Sequence, residues 1–286
     1  MAGMENDQPE VTGVYEVPTS LSPSRVEAFT KCPLAFRFTS IERLGDPPTV
    51  HTTRGSLVHR ALQLGYEAPA GGRSPAVFED ALDRALAEYR ELPDYTLLGF
   101  TDDQAERFES ECRDLVSRYL TMEDPDAVRP IGLELMLSAQ VGNLTLRGII
   151  DRLELRDDGE LVVSDYKTGR APSTNWEQRS MSGVHFYALL CQEVFGRLPA
   201  AIRLLYLSSG EIIEATPSAQ SAKFVATRTA AVWKAVERAC VTGEFQPRQS
   251  SLCSLCAFQR WCPSFGGDAA LARVEAPAAL GLAVAA

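Results

Sequence analysis

Gly148-Ile149-Ile150-Asp151-Arg152, followed by Val163-Ser164-Asp165-Tyr166-Lys167-Thr168-Gly169, is the stretch whose reading decides what this chain is. Asp165 and Lys167 stand two apart in a run of strand character, so both side chains leave the same face. Asp151 lies in the preceding strand-like run, and the turn signal Asp157-Asp158-Gly159 between the two runs lets all three residues converge. Two carboxylates a few ångströms apart raise each other's pKa unless a cation sits between them. A hard divalent ion such as Mg²⁺ suits an all-oxygen site, and a lysine beside it can steady charge on a phosphoryl group. Taken alone, an Asp-x-Lys tripeptide is common by chance. The plain alternative pairs Asp151 with Arg152 or Lys167 on a solvated sheet edge.

Outward from that stretch, residues 132–140, 144–155 and 160–167 read as strands, separated by turns at Gly142-Asn143 and at Asp157–Gly159. A helix is expected over about 176–195, strands at 202–207 and 211–215, and a helix over about 218–241. Upstream, Ser22-Pro23 offers a helix start, and Cys32-Pro33 ends that helix. A second helix follows from about Thr53 to Tyr66, then two amphipathic ones near 76–91 and 102–120. The order is mixed α/β rather than a regular βαβ alternation. Residues 1–19 are expected to be a flexible leader, 71–130 a helical insertion, and the Ala-rich stretch 267–286 a disordered tail.

The 286 residues carry a net charge of −10, which argues against a generally cationic nucleic-acid binder. The acidity is local, however. Residues 71–130 hold 15 acidic and 7 basic side chains, whereas residues 21–60 hold 3 acidic and 6 basic, so the acidic stretch can face away from a polyanion. No apolar run approaches the roughly 20 residues that span a membrane, and no signal-peptide pattern opens the chain, so the expected location is cytoplasmic. Only four lysines accompany 24 arginines, which gives Lys167 added weight.

These segments together resemble the RecB-like branch of the PD-(D/E)xK nucleases, in which a G-x-x-D-R segment precedes a D-Y-K-T-G strand. Gly55-Ser56-Leu57-Val58-His59 is similar to that branch's G-x-x-x-H helix motif, and Glu134 to an acidic position on the strand before the aspartates. The resemblance covers residues 21 to 266 and implies a restriction-endonuclease-like core, a mixed sheet flanked by helices, with DNA as substrate. It further implies that His59, Asp151, Asp165 and the Tyr166 carbonyl bind Mg²⁺ or Mn²⁺, and that Lys167 is catalytic alongside Asp165, Asp151 and Glu134. Without that context, a lone helical histidine such as His59 would be read as packed or exposed. The branch also carries Q-x-x-x-Y on the helix after the D-Y-K strand; here Tyr187 matches the tyrosine, but Gly183 stands at the glutamine position. Tyr187 and Arg152 are the expected DNA contacts, with core packing the alternative for Tyr187.

Seven cysteines in a chain of this kind point to metal binding or buried thiols rather than disulfides. Cys253-x2-Cys256-x5-Cys262 forms a cluster near one end, and Cys32 stands far upstream. The spacing alone leaves a Cys₄ zinc site, an iron–sulfur cluster and unliganded thiols open. The pattern resembles the iron staple of AddB-type nucleases, which implies a [4Fe–4S] cluster at these four residues. Cys112, Cys191 and Cys240 lie in expected helices and read as small core residues.

The function implied is a metal-dependent exonuclease on single-stranded DNA or DNA ends, in repair or recombination. There is no G-x-x-x-x-G-K-[ST] loop, so a separate helicase is the expected partner if a motor is needed. The alternative is a non-catalytic or helicase-dependent DNA-binding protein that keeps the fold and the staple.

Overall fold

Period-two patterning and two tight turns give the computed structural model its centre, a five-stranded sheet in the order β1-β2-β3-β4-β5. The structure describes residues 13–172 and 174–281, and their side chains outside 174–182. The strands are β1 (Pro130–Val141), β2 (Leu144–Leu155), β3 (Leu161–Lys167), β4 (Ala201–Tyr206) and β5 (Glu211–Ala215). β1, β2 and β3 form an antiparallel meander, β3 and β4 pair in parallel, and β5 returns antiparallel. The parallel step requires a crossover, supplied by helix α7 (Thr174–Phe195).

Helices cover both faces. On one face, α7 and α8 (Ala219–Thr242) pack against Ile150, Leu153, Val163, Ile202 and Leu204, with α1 (Pro23–Lys31) at the margin. The other face carries α3 (Val50–Tyr66), α4 (Pro75–Arg90) and α6 (Asp102–Met122), which bury Tyr166, Leu205 and Leu207. Residues 71–130 contribute α4 and α6 to this layer, which closes one face of the sheet. α3 starts at Val50, before Thr53, because Thr49 and Thr52 form a reciprocal capping box. The acidic excess of this layer is partly neutralised by ion pairs such as Arg54–Glu111, Arg60–Glu88 and Arg113–Asp83.

A third cluster joins the two ends of the described chain. Leu34, Phe36 and Phe38, from short α2 (Pro33–Phe36) and the π-turn after it, pack against Phe258, Trp261, Ala272 and Ala276. This corrects the expectation of unstructured termini over the described residues. Tyr15 N–H donates to the Cys240 carbonyl (3.0 Å) and the Tyr15 ring packs edge-on to Phe245, so part of the expected leader is docked. Within the expected tail, Ala272–Ala279 forms a helix held by Trp261 Nε1 donating to Glu275 (2.9 Å) and by buried Arg37 donating to the Ala269 carbonyl (2.6 Å). Alanine-rich composition suggested looseness, yet alanine is also the residue that lets a helix lie close against an aromatic cluster. Residues 1–12 and 282–286 of those two expected segments lie outside the described residues.

Candidate metal centre

The site forms where the β1–β2 pair passes from one helical layer to the other. Leu133 pairs with Arg152 and Leu135 with Ile150, which sets Glu134 opposite Asp151. Leu133 packs with the α3/α4/α6 layer and Leu135 with the α7/α8 layer, although residues two apart on a regular strand share a face. The reversal falls on Glu134, whose φ of +45° is a left-handed conformation that a non-glycine residue seldom adopts. Such strain persists only where the surroundings impose it, and here it brings the Glu134 carboxylate to His59.

On the next strand, Arg152 pairs with Ser164, so Asp151 stands opposite Asp165. Asp151 Oδ2 accepts the Tyr166 backbone N–H at 2.7 Å. His59, one turn along α3 from Gly55, donates from Nε2 to the Tyr166 carbonyl at 2.9 Å. Its Nδ1 lies 3.5 Å from Asp151 Oδ2 and 3.7 Å from Glu134 Oε1. His59, Glu134 and Asp151 each offer a ligand atom, all within 4.8 Å of one another, a spread that one ion with bonds of about 2.0–2.6 Å can bridge. Imidazole and carboxylate donors together fit a divalent metal ion. Asp165 lies outside this tight trio; its buried Oδ2 has no aligned hydrogen bond and contacts Lys167 Nζ at 2.5 Å.

The electrostatics are those of an anionic pocket. Burial and the neighbouring Asp165 charge push the Asp151 carboxyl up to about 7, against the opposing pull of His59 and the Tyr166 amide. Burial works to lower His59, but its bond to Glu134 and the charges of Asp151 and Asp165 prevail, raising it to about 9. Burial likewise opposes charge on Lys167, and Asp165 outweighs it, so the pKa rises and the side chain is an ammonium at neutral pH. The plain alternative for Asp151, a partner for Arg152 or Lys167 on a solvated edge, does not describe this geometry: Asp151 is buried and bonds backbone.

Arg152 requires a correction. It is 0 % exposed and cannot touch DNA. Its guanidinium donates to the hydroxyls of Tyr66, Tyr119 and Tyr166, to Ser164, and to the carboxylates of Glu123 and Glu154. An arginine next to a site aspartate reads from sequence as a phosphate ligand, but alternation along β2 sends it to the opposite face, among the tyrosines. Glu123, Tyr119 and Tyr66 carried no sequence signal, because they lie 29, 33 and 86 residues from Arg152.

Tyr187 sits half-buried on α7, where it and Leu190 together leave room only for glycine at position 148. A Cβ at position 148 would lie 2.8 Å from Leu190 and 3.2 Å from the Tyr187 ring. Burial and the charges of Asp165, Asp151 and Glu134 raise the Tyr187 hydroxyl well above its usual range, so its ring both packs the core and borders the site.

Cys32, Cys253, Cys256 and Cys262 are all partly accessible free thiols, whereas Cys112, Cys191 and Cys240 are buried. Burial raises Cys256, and its neighbours Cys32, Cys253 and Cys262 add to that rise, while the Phe258 amide opposes it. Further backbone N–H groups donate to sulfur, from Arg248 to Cys32 (3.4 Å) and from Ser250 to Cys253 (3.3 Å).

Comparison with known proteins places this geometry. The family model described as the PD-(D/E)XK nuclease superfamily matches residues 20–263. The chain belongs to the PD-(D/E)XK nuclease superfamily. Among curated relatives of this superfamily member, the Gene 69 protein of Mycobacterium phage D29 is 25% identical over 181 residues, covering 54% of this chain. The chain spans only 65% of that relative's length. The Gene 69 protein of Mycobacterium phage L5 is 22% identical over 293 residues, covering 85% of this chain and 96% of its own. A solved structure from Eubacterium rectale, provisionally described as an exonuclease, matches with a TM-score of 0.54 at 12% identity, covering 85% of this chain and 88% of its own; it shares the fold. No helix among the described residues is long and apolar enough to cross a membrane.

Proposed function

We propose that this superfamily member is a RecB-like, Mg²⁺- or Mn²⁺-dependent DNA exonuclease acting on single-stranded DNA or DNA ends in repair or recombination, with a separate helicase supplying strand where one is needed. The observation that carries the reading is the convergence of His59, Glu134 and Asp151, with Asp165 and Lys167 on the adjoining strand. His59, Glu134, Asp151, Asp165 and the Tyr166 carbonyl would hold the ion, which supplies Lewis-acid activation of water and phosphoryl oxygen.

The chain's own groups do the rest. Lys167, held charged by Asp165, donates hydrogen bonds to a non-bridging phosphate oxygen or to the attacking water. Asp151 and Asp165 hold their carboxylates fixed from adjacent strands, and the Tyr166 amide keeps Asp151 aimed. Tyr187, seated on Gly148 beside the carboxylates, offers a ring edge and a hydroxyl to the bound strand.

The four partly accessible cysteines would hold a [4Fe–4S] cluster that staples the Cys32 segment to residues 253–262. N–H donors on sulfur suit a cluster. A tetrahedral zinc held by the same four thiols is the alternative. The staple is structural, because the hard-metal site is elsewhere.

The nuclease reading is tested with single-stranded DNA labelled at one end, incubated with Mg²⁺, Mn²⁺ or EDTA. Metal-dependent shortening supports it and gives the polarity. Intact DNA with fully loaded protein favours the non-catalytic binding alternative.

A further inference from the structure

The β1–β2 hairpin continues well beyond the sheet. β3 pairs with β2 only over residues 161–164 opposite 152–155, and the outer part of β2 is flanked instead by the single residue Leu21. One side of this arm is closed by α7, with Leu137, Leu144, Leu146 and Ile150 buried. The other side is open, with Met136, Ser138, Gln140, Arg147 and Ile149 exposed. Met136 (59% exposed) and Ile149 (43% exposed) are direct cross-strand partners, each two residues from a site carboxylate, Glu134 and Asp151 respectively.

The charge pattern sets the arm apart. Residues 135–150 contain no Asp or Glu, although the chain holds 38, and the run is bounded by the acidic site residues Glu134 and Asp151 themselves. Arg147 is its one cation, and it is exposed. An anionic strand entering the site meets no repulsion along this face, one cation to hold a phosphate, and an apolar pair beside the ligands on which a base can rest. Double-stranded DNA presents mainly phosphates outward and gives Met136 and Ile149 nothing apolar to cover, so the surface fits an unpaired strand.

Resting on the nuclease reading, we infer that the open face of the β1–β2 arm, with Arg147, Ile149 and Met136, is the track along which single-stranded DNA reaches the metal centre. The test is fluorescence anisotropy with the full-length protein, Ca²⁺ in place of Mg²⁺, and a labelled 20-nucleotide oligothymidylate or the same length of duplex. Met136→Glu and Ile149→Glu should each weaken single-strand binding by roughly tenfold or more, the loss of one apolar contact plus an added repulsion. Arg147→Ala should weaken it and lower the salt dependence by about one released ion. Phe224→Glu, a control at an exposed aromatic on α8, should bind as wild type. Single-strand affinity unchanged in all three arm variants overturns the inference, as does an equal loss in Phe224→Glu. Arm variants that bind DNA normally but change the oligomeric state in light scattering also overturn it, by assigning the face to a second copy. Because binding is read without cleavage, an inactive wild type that still loses single strands on these substitutions would contradict the nuclease reading and leave the track standing.

Discussion

His59 Nε2 bonds the carbonyl of Tyr166 at 2.9 Å across 107 positions of chain, tying the helical layer to the strand that carries Asp165 and Lys167. Tyr166 is held at three points: its carbonyl by His59, its amide by Asp151, and its hydroxyl by Arg152. The site is thus braced at one residue by the helical layer that carries His59 and by the neighbouring strand β2.

Removing the imidazole should loosen the metal first. His59→Ala is expected to weaken Mn²⁺ affinity by more than the roughly 10- to 100-fold that loss of a ligand's supporting partner costs, with the fold retained, read by isothermal titration and circular dichroism. Wild-type Mn²⁺ affinity in this variant would remove His59 from the ligand set.

Metal binding should release protons. Ligands bind deprotonated, while Asp151 titrates near 7 and His59 near 9 in the metal-free protein. Falling pH therefore adds competition from both groups, and Mn²⁺ affinity should climb from pH 6 to 9 and level off above. Titrations in buffers of different ionisation enthalpy at pH 7.5 should report net proton release. A flat affinity across that range with no release would contradict the assignment.

Arg152 should matter for stability and not for DNA contact. Arg152→Met leaves Glu123 and Glu154 buried without their shared guanidinium, and breaking a buried pair from one side costs about 3–5 kcal/mol. Denaturant melts should show that loss, while the salt slope of DNA binding stays at the wild-type value. A stable Arg152→Met protein with a reduced slope would restore the phosphate role expected from sequence.

Much of this was legible in the sequence, and the failures share a cause. Strand-like runs and turn residues marked every strand of the sheet, and Thr49 and Thr52 moved one helix start by a few residues. Asp151, Asp165 and Lys167 could be placed together because a meander's register follows from its turns. Glu134 could be matched by resemblance, yet its left-handed backbone has no local signature, since no glycine or asparagine marks the position. Arg152 misled because the sequence shows its neighbour Asp151 and hides Tyr66 and Tyr119. Residues 13–19 and 267–281 misled because polar and alanine-rich stretches reveal nothing of the aromatic cluster they cover.

Among the cysteines, accessibility should sort function. Cys256→Ser is expected to purify anaerobically without iron and with lowered stability, whereas Cys191→Ser, in the buried core, should keep full iron content. Zinc at one equivalent and no iron in the wild type would replace the cluster with a zinc staple. Iron retained in Cys256→Ser would remove that residue from the staple.

The most direct test of the metal centre compares wild type with Lys167→Ala on end-labelled single-stranded DNA at saturating Mn²⁺, both proteins at equal metal occupancy. Loss of one well-placed charge donor should cost about 10²–10³ in the cleavage rate, with oligonucleotide affinity in Ca²⁺ within a few-fold of wild type. Cleavage by Lys167→Ala at the wild-type rate would contradict the assignment of this strand as the active site.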